Sequence, residues 1–194
     1  LRHQVFRCAL WNRPPRMCSV VTSVATLEPE LGRPLVDRGD VGIFEFHDLM
    51  VAMYRGRITV DVLKAVSASQ RRLHEVHGKI AGLTLLLSTE SFSRPDPSVR
   101  QYGETVSNEF DGMAYASAIV LTESGLHGAL VRSILTGIQL TSRRPVPQKV
   151  FAGIREGVEW IVSRNAESVL TPRLAEVQRR IETLAAKPAR KPVR

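Results

Sequence analysis

Cysteine is scarce in this chain of 194 residues: there are two, Cys8 and Cys18, both near its beginning. Two thiols exclude a disulfide-rich scaffold and a four-cysteine zinc site. No apolar run approaches the roughly 18–20 residues that span a bilayer as a helix. Aromatics make up only 6%, which argues against the stacking surfaces that read single-stranded nucleic acid. No strong catalytic motif is present either. What remains is 43% hydrophobic and 24% charged, the balance of a folded globular domain rather than a disordered chain. The length suits one packed domain with appendages, or two very small ones.

The net charge of +8 sits at the ends. Residues 1–16 carry Arg2, Arg7, Arg13 and Arg16 and no acid, and residues 187–194 carry Lys187, Arg190, Lys191 and Arg194 and no acid. Setting those eight aside from 27 leaves 19 basic against 19 acidic residues between 17 and 186. The expected body is neutral. A nucleic-acid reader carries its positive stripe on the fold, so specific nucleic-acid binding is not expected, although basic tails attract any polyanion.

Residues 1–39 read as a flexible lead-in. Its first part, 1–16, is Arg-rich with Pro14-Pro15, looks foreign to the rest of the chain and makes Met17 the expected native start. Arg7 interrupts the first apolar stretch, so no secretory signal is recognised, and a cytoplasmic location with free thiols is expected. From Asp40 the pattern sharpens. Val41–Phe46 and Leu49–Tyr54 are short strands separated by His47-Asp48, a pairing that sets Phe46 against Leu49, Phe44 against Val51 and Gly42 against Met53. Thr59 caps a helix carrying Val62, Leu63, Val66, Leu73 and Val76, and Gly78 stops it. Leu83–Leu87 is a strand, Asp96-Pro97 caps a helix with Val99, Tyr102, Val106, Phe110 and Met113, and Tyr115–Leu121 is a further strand. Leu126, Leu130, Ile134 and Ile138 recur every four residues. Lys149–Phe151 is a brief edge strand, and Ile154, Val158, Trp160 and Ile161 mark a closing helix.

Strands alternating with helices predict one α/β domain over 40–164: a mixed, mostly parallel sheet of about five strands opened by an antiparallel hairpin, with four flanking helices. Thr171-Pro172 opens a C-terminal amphipathic helix within 165–187, and 188–194 is a basic, disordered tail. Its seam of Leu174, Val177, Ile181 and Leu184 is about two heptads long, suited to docking on its own domain or to self-association.

This order, with Tyr54-Arg55-Gly56-Arg57-Ile58-Thr59 leading into the first helix, resembles the STAS domain (sulfate transporter and anti-sigma factor antagonist), including its lipid-binding-like branch. The likeness covers about 125 residues. It implies a non-catalytic module that binds a partner protein, with some members responding to nucleotides, lipids or phosphorylation. Regulatory members carry a phosphorylated serine in an Asp-Ser-Gly type stretch after the third strand. Here Ser88–Asp96 reads Ser-Thr-Glu-Ser-Phe-Ser-Arg-Pro-Asp, so that switch does not carry over.

Candidate chemistry gathers in two loops. Thr122-Glu123-Ser124-Gly125-Leu126-His127-Gly128 lies between a strand and a helix, where a hydrolase would hold its nucleophile. The elbow G-x-S-x-G needs glycine where Thr122 stands, so Ser124 reads as a helix cap, with Gly125 and Gly128 allowing close packing. The same helix start, with Arg132 two turns on, suits an anionic group. Ser88, Ser91 and Ser93 offer hydroxyls in a surface loop. His47-Asp48 is a pair found in metal-dependent phosphohydrolases, but without further ligands it reads as a solvent-facing turn. His74 and His77, three apart with Glu75 between, read as an exposed helix face rather than a metal site. Arg143-Arg144, beside Pro145 and Pro147, reads as a solvated loop or a grip for acidic residues of a partner.

The sequence therefore predicts a non-enzymatic STAS-like regulatory or protein-interaction module without cofactor or metal. Its contact surface is Ser88, Ser91, Ser93, Ser124, Gly125, His127, Gly128 and Arg132. One alternative is a binding protein or sensor for an anionic small molecule or lipid at Ser124–Gly128. A second is a small serine hydrolase using Ser124.

Overall fold

Two six-residue strands rich in apolar side chains meet at His47-Asp48 and open the sheet. The computed structural model describes residues 31–88, 96–122, 133 and 144–188. Strands β2 (Val41–Phe46) and β3 (Leu49–Tyr54) pair antiparallel in the register that their alternation predicts, Phe46 with Leu49, Phe44 with Val51 and Gly42 with Met53. His47 supplies the positive φ, 56°, that a primed hairpin turn needs at its first central residue, a value histidine tolerates better than most.

Helix α1 (Val60–His77) comes next. The Thr59 hydroxyl accepts the Val62 N–H at 3.3 Å, and Gly78 ends the helix at φ 73° while its N–H reaches the His74 carbonyl at 2.8 Å. Val76, expected in the apolar stripe, is 66% exposed. Strand β4 (Ile80–Leu86) begins three residues before the expected start, because Gly78 releases the chain straight into the sheet and Ile80 is already buried. Helix α2 (Pro97–Met113) leads without a loop into β5 (Ala114–Leu121). Asp96 stands at its N-cap but makes no side-chain cap bond. Its carboxylate instead accepts from Arg57 Nη2 at 3.2 and 3.3 Å. Strand β6 (Gln148–Phe151), helix α3 (Ile154–Val162), a short 3₁₀ turn (Thr171–Arg173) and helix α4 (Leu174–Ala185) complete the described elements. The helix expected over Leu126–Ile138 lies outside the described residues.

The sheet has one strand more than the sequence pattern shows. Arg33–Asp37, expected within the lead-in, forms β1 and pairs antiparallel with β2. Its apolar alternation is short and broken by Pro34, which has no N–H and is tolerated on an edge strand because no second neighbour needs a donor there. The spatial order is β1-β2-β3-β4-β5-β6, with β3 to β6 parallel. The fold is thus α/β, a mixed sheet opened by antiparallel pairs and layered on both faces by helices. Among the described residues no helix is long and apolar enough to cross a membrane.

The two faces carry separate cores. One joins Phe44, Phe46, Val51, Met53, Leu83, Leu85 and Val120 to Val158 and Ile161 of α3 and Val177, Ile181 and Leu184 of α4. The other packs Ile43, Met50, Ala52 and Ile80 under Val62, Val66 and Leu73 of α1 and Val99, Val106 and Phe110 of α2. The seam offered for self-association is therefore spent on this chain's own core: Val177 and Ile181 are fully buried, Leu184 is 2% exposed and Leu174 packs alongside. Arg55 fastens α4 against the hairpin, donating from Nη2 to the Leu184 carbonyl at 3.1 Å, in the last turn of the helix where the macrodipole favours a cation.

Deleting residues 165–194 should abolish cooperative unfolding, since it strips α4 from the core that holds Phe44, Phe46, Val51 and Met53. Ile181→Ala should destabilise by about 2–5 kcal/mol, read as a lowered urea midpoint with an unchanged slope. A truncated chain that unfolds cooperatively at the full-length midpoint would overturn this role for α4.

Candidate functional site

Small side chains on the α1/α2 face leave a space that, among the described residues, the helices do not fill. Ala52 of β3, Gly82 and Thr84 of β4 and Ser117 of β5 form its floor, and Leu63, Val66 and Phe110 form its roof. The cavity holds about 160 Å³. Gly82 is required by closeness rather than by backbone angle: a Cβ there would sit 2.7 Å from the tip of the Phe110 ring. The ring consequently lies directly against the sheet and walls one side of the space. Thr84, Gly103, Ser107, Ser117 and Gln148 are half-buried, so water reaches the rim between α2 and the β5/β6 edge.

One polar group in the wall has no partner among the described residues. Gln70 continues the buried stripe of α1, is 6% exposed, and its Oε1 accepts no hydrogen bond. A buried amide oxygen left unpaired costs about 1–3 kcal/mol. The rest of the polar lining includes a closed set of contacts around Arg144. It donates to Asp111 from Nε at 3.1 Å and from Nη2 at 3.0 Å, to Gln148 Oε1 at 3.2 Å and to the Ser107 carbonyl at 3.2 Å, and also contacts the Ser107 hydroxyl. The guanidinium is thus matched by a carboxylate of its own chain. Arg144, read from the sequence as a solvated loop or a partner grip, instead ties the segment before β6 to α2. Among the described residues it is the only charged side chain lining the cavity, and Asp111 balances it.

A second cluster surrounds the hairpin turn, where the parallel strands begin. Asp48, expected to face solvent, is 6% exposed. Its Oδ2 accepts from the Tyr115 hydroxyl at 3.1 Å and from Asn165 Nδ2 at 3.4 Å, and its Oδ1 lies 3.4 Å from His47 Nδ1. Ala81 donates its N–H to the Asp48 carbonyl at 2.8 Å, so the turn is pinned to the start of β4 and drawn inward. Burial, then the Asp48 charge and hydrogen bond, push the Tyr115 phenol well above its ordinary range, so it stays a donor. His77, expected on an exposed face, is half-buried, with its ring 4.5 Å from that of His47 and Nε2 3.3 Å from Glu45 Oε1. His74 turns back to the Gly78 carbonyl at 2.6 Å. Among the described residues no three His, Cys, Asp or Glu side chains are placed to hold a metal. None of these contacts brings a hydroxyl or thiol nucleophile to His47 or His77, and the cluster's bonds all serve to hold the hairpin turn.

Of the residues predicted to form a contact surface, Ser88 is half-buried just beyond β4. Ser91, Ser93, Ser124, Gly125, His127, Gly128 and Arg132 lie outside the described residues. Sequence reasoning missed the cavity, although it left traces: a glutamine in a helical stripe, a glycine inside a strand, and Thr84 and Ser117 at positions where a buried strand carries apolar side chains. No family model, curated protein or solved structure matches this chain.

Gln70→Leu removes the unpaired oxygen while keeping the bulk, and should stabilise the protein by about 1–3 kcal/mol in urea titration. A loss of stability would mean that the oxygen has a partner after all. At the other cluster, burial raises the Glu45 carboxyl, but hydrogen bonds and charge from Arg33 and His77 outweigh it and hold the group below its ordinary 4.5. A depressed carboxylate stabilises the fold above its unfolded value, and that contribution fades as pH falls below 4.5 through the folded value. Arg33→Gln should flatten the loss of stability below pH 4.5 measured by urea midpoints across pH, and an unaltered slope would discount the pair.

Proposed function

We propose that this chain is a non-catalytic, STAS-like binding module whose ligand is a small uncharged molecule held between the sheet and helices α1 and α2. The observation that carries this reading is the cavity of about 160 Å³ that opens between Ala52, Gly82, Thr84 and Ser117 of the sheet and Leu63, Val66 and Phe110 of the helices. Close packing is the rule in protein interiors, and a space left under a helix layer forfeits dispersion contacts. A ligand that enters restores those contacts.

The reading favours an uncharged ligand over an anionic one. Arg144 is the charge at the rim, and Asp111 already balances it in a two-point contact. An anion would have to displace that carboxylate. The order of strands and helices, with the hairpin in front and Gly56 before α1, supports the STAS-like assignment, and a sheet with a ligand-sized opening on one face supports a sensor or carrier. Catalysis draws no support from the cavity, whose described lining offers no cysteine, histidine or carboxylate.

Titration with benzene, the simplest uncharged probe of this size, tests the reading. Saturable amide shifts in NMR confined to α1, β4 and α2 are expected, together with a raised melting temperature at saturating probe. Ser117→Leu, which fills the floor from β5, should abolish both effects while the variant still melts cooperatively. Shifts that are absent, or that persist in the filled variant, would sink the proposal.

A further inference from the structure

We propose that His47 and His77 form a binding site for a divalent transition-metal ion, held through two imidazole nitrogens at neighbouring positions of its shell and completed by water. This goes beyond the cavity reading and does not depend on it. Along the chain each histidine lacks company, His47 in a turn and His77 at the end of α1. The fold supplies each with the other: their rings lie 4.5 Å apart between centroids, tilted by 45°.

Carboxylates fix which nitrogen of each ring is free. Nε2 of His77 faces Glu45 Oε1 at 3.3 Å, and Nδ1 of His47 faces Asp48 Oδ1 at 3.4 Å. An ionised carboxylate only accepts, so the proton in each contact sits on the histidine. In the neutral rings the lone pair is therefore on Nδ1 of His77 and on Nε2 of His47. This is the pattern of metal-binding histidines, whose other N–H goes to a carboxylate that sets the tautomer and raises the basicity of the ligand nitrogen. The carboxylates are held in turn, Glu45 by Arg33 and Asp48 by Tyr115 and Asn165. The bonds that hold the hairpin turn thus also aim the two rings.

Both free nitrogens are within reach of solvent. Neither has a partner among the described residues, where the side-chain atoms that are both sealed and unpartnered are Arg55 Nε and Gln70 Oε1 alone. The His47 side chain is 33% exposed and that of His77 14%.

The spacing suits one shared ion. A metal–nitrogen bond of about 2.1 Å, with about 1.1 Å more to the ring centre, puts two imidazoles at right angles on one ion with centroids about 4.5 Å apart. Among the described residues no third His, Cys, Asp or Glu joins such a group, so the remaining positions go to water. Two imidazoles select a borderline ion of the cobalt-to-zinc series over Mg²⁺ and Ca²⁺, which prefer oxygen. The ion ties the hairpin turn to the last turn of α1.

Titration of the full chain with Co²⁺, followed by isotope-edited NMR, tests the site. Saturable paramagnetic broadening centred on the hairpin turn and the end of α1 is expected, reversed by Zn²⁺ and not by Mg²⁺. His47→Asn, which keeps a residue tolerant of positive φ, and His77→Gln should each weaken binding at least about tenfold, with cooperative urea unfolding showing both variants folded. Glu45→Gln leaves both ligands in place and should weaken binding about 10–100-fold by releasing the His77 ring. His74→Gln should leave it unchanged, because the His74 ring turns back to the Gly78 carbonyl. No saturable broadening, broadening centred elsewhere, unchanged binding in His47→Asn or His77→Gln, or an equal loss in His74→Gln overturns the site.

Discussion

Strand β3 has no wet face. All six residues from Leu49 to Tyr54 are buried, and a strand buried on both sides needs a layer of helix above and another below. The chain supplies them in two instalments. Helices α1 and α2 are the crossovers that carry it from β3 to β4 and from β4 to β5, so both lie on one face, as right-handed connections in a single direction demand. The other face waits for α3 and, last, for α4. The hairpin's Phe44 and Phe46 are therefore covered by residues more than a hundred positions later, and the C-terminal helix is part of the core.

The two layers are unequal in how they fill space. Under α3 and α4 the sheet presents Phe44, Phe46, Met53, Leu83 and Leu85, large side chains that meet Ile161 and Ile181. Under α1 and α2, toward β5, it presents Ala52, Gly82, Thr84 and Ser117. A helix layer held at fixed distance by the flanking contacts of Val62, Leu73 and Val99 cannot sink to meet such a floor. The void is the result of that mismatch. Filling it would need only larger side chains on strands that already tolerate them nearby, so the small residues, with the glutamine above them, are a cost the fold carries on one face alone.

Elements that obey one period were legible in the sequence. The hairpin register comes from alternating apolar residues, and α1 from the spacing of Val62, Leu63, Val66 and Leu73 between a threonine cap and a glycine stop. What failed did so where a tertiary contact overrode local pattern. Arg33–Asp37 has too little alternation to announce a strand and is ordered by pairing with β2. His47-Asp48 has the composition of an exposed turn, yet Tyr115 and Asn165, remote in sequence, draw the carboxylate inward. Gln70 escapes notice because a polar residue inside an apolar stripe is normally read as a flaw in the stripe. Its burial without a partner is a property of the assembled layers. The candidate loops around Ser91, Ser93 and Ser124–Arg132 lie outside the described residues, so the site argued from the structure is wholly distinct from the one expected.

The described arginines are largely matched by acids of the same chain. Arg33 faces Glu45, Arg57 faces Asp96, Arg71 faces Glu109, Arg144 faces Asp111 and Arg173 faces Glu176. Exposed pairs of this sort add little stability, but together they use up positive charge that would otherwise gather anions on the folded body. Arg144 shows the consequence at the cavity itself. Its planar fork is already met by a carboxylate and by acceptors from Gln148 and Ser107, so an incoming phosphate or carboxylate would have to break that set before gaining its own. An uncharged molecule would displace nothing but water there.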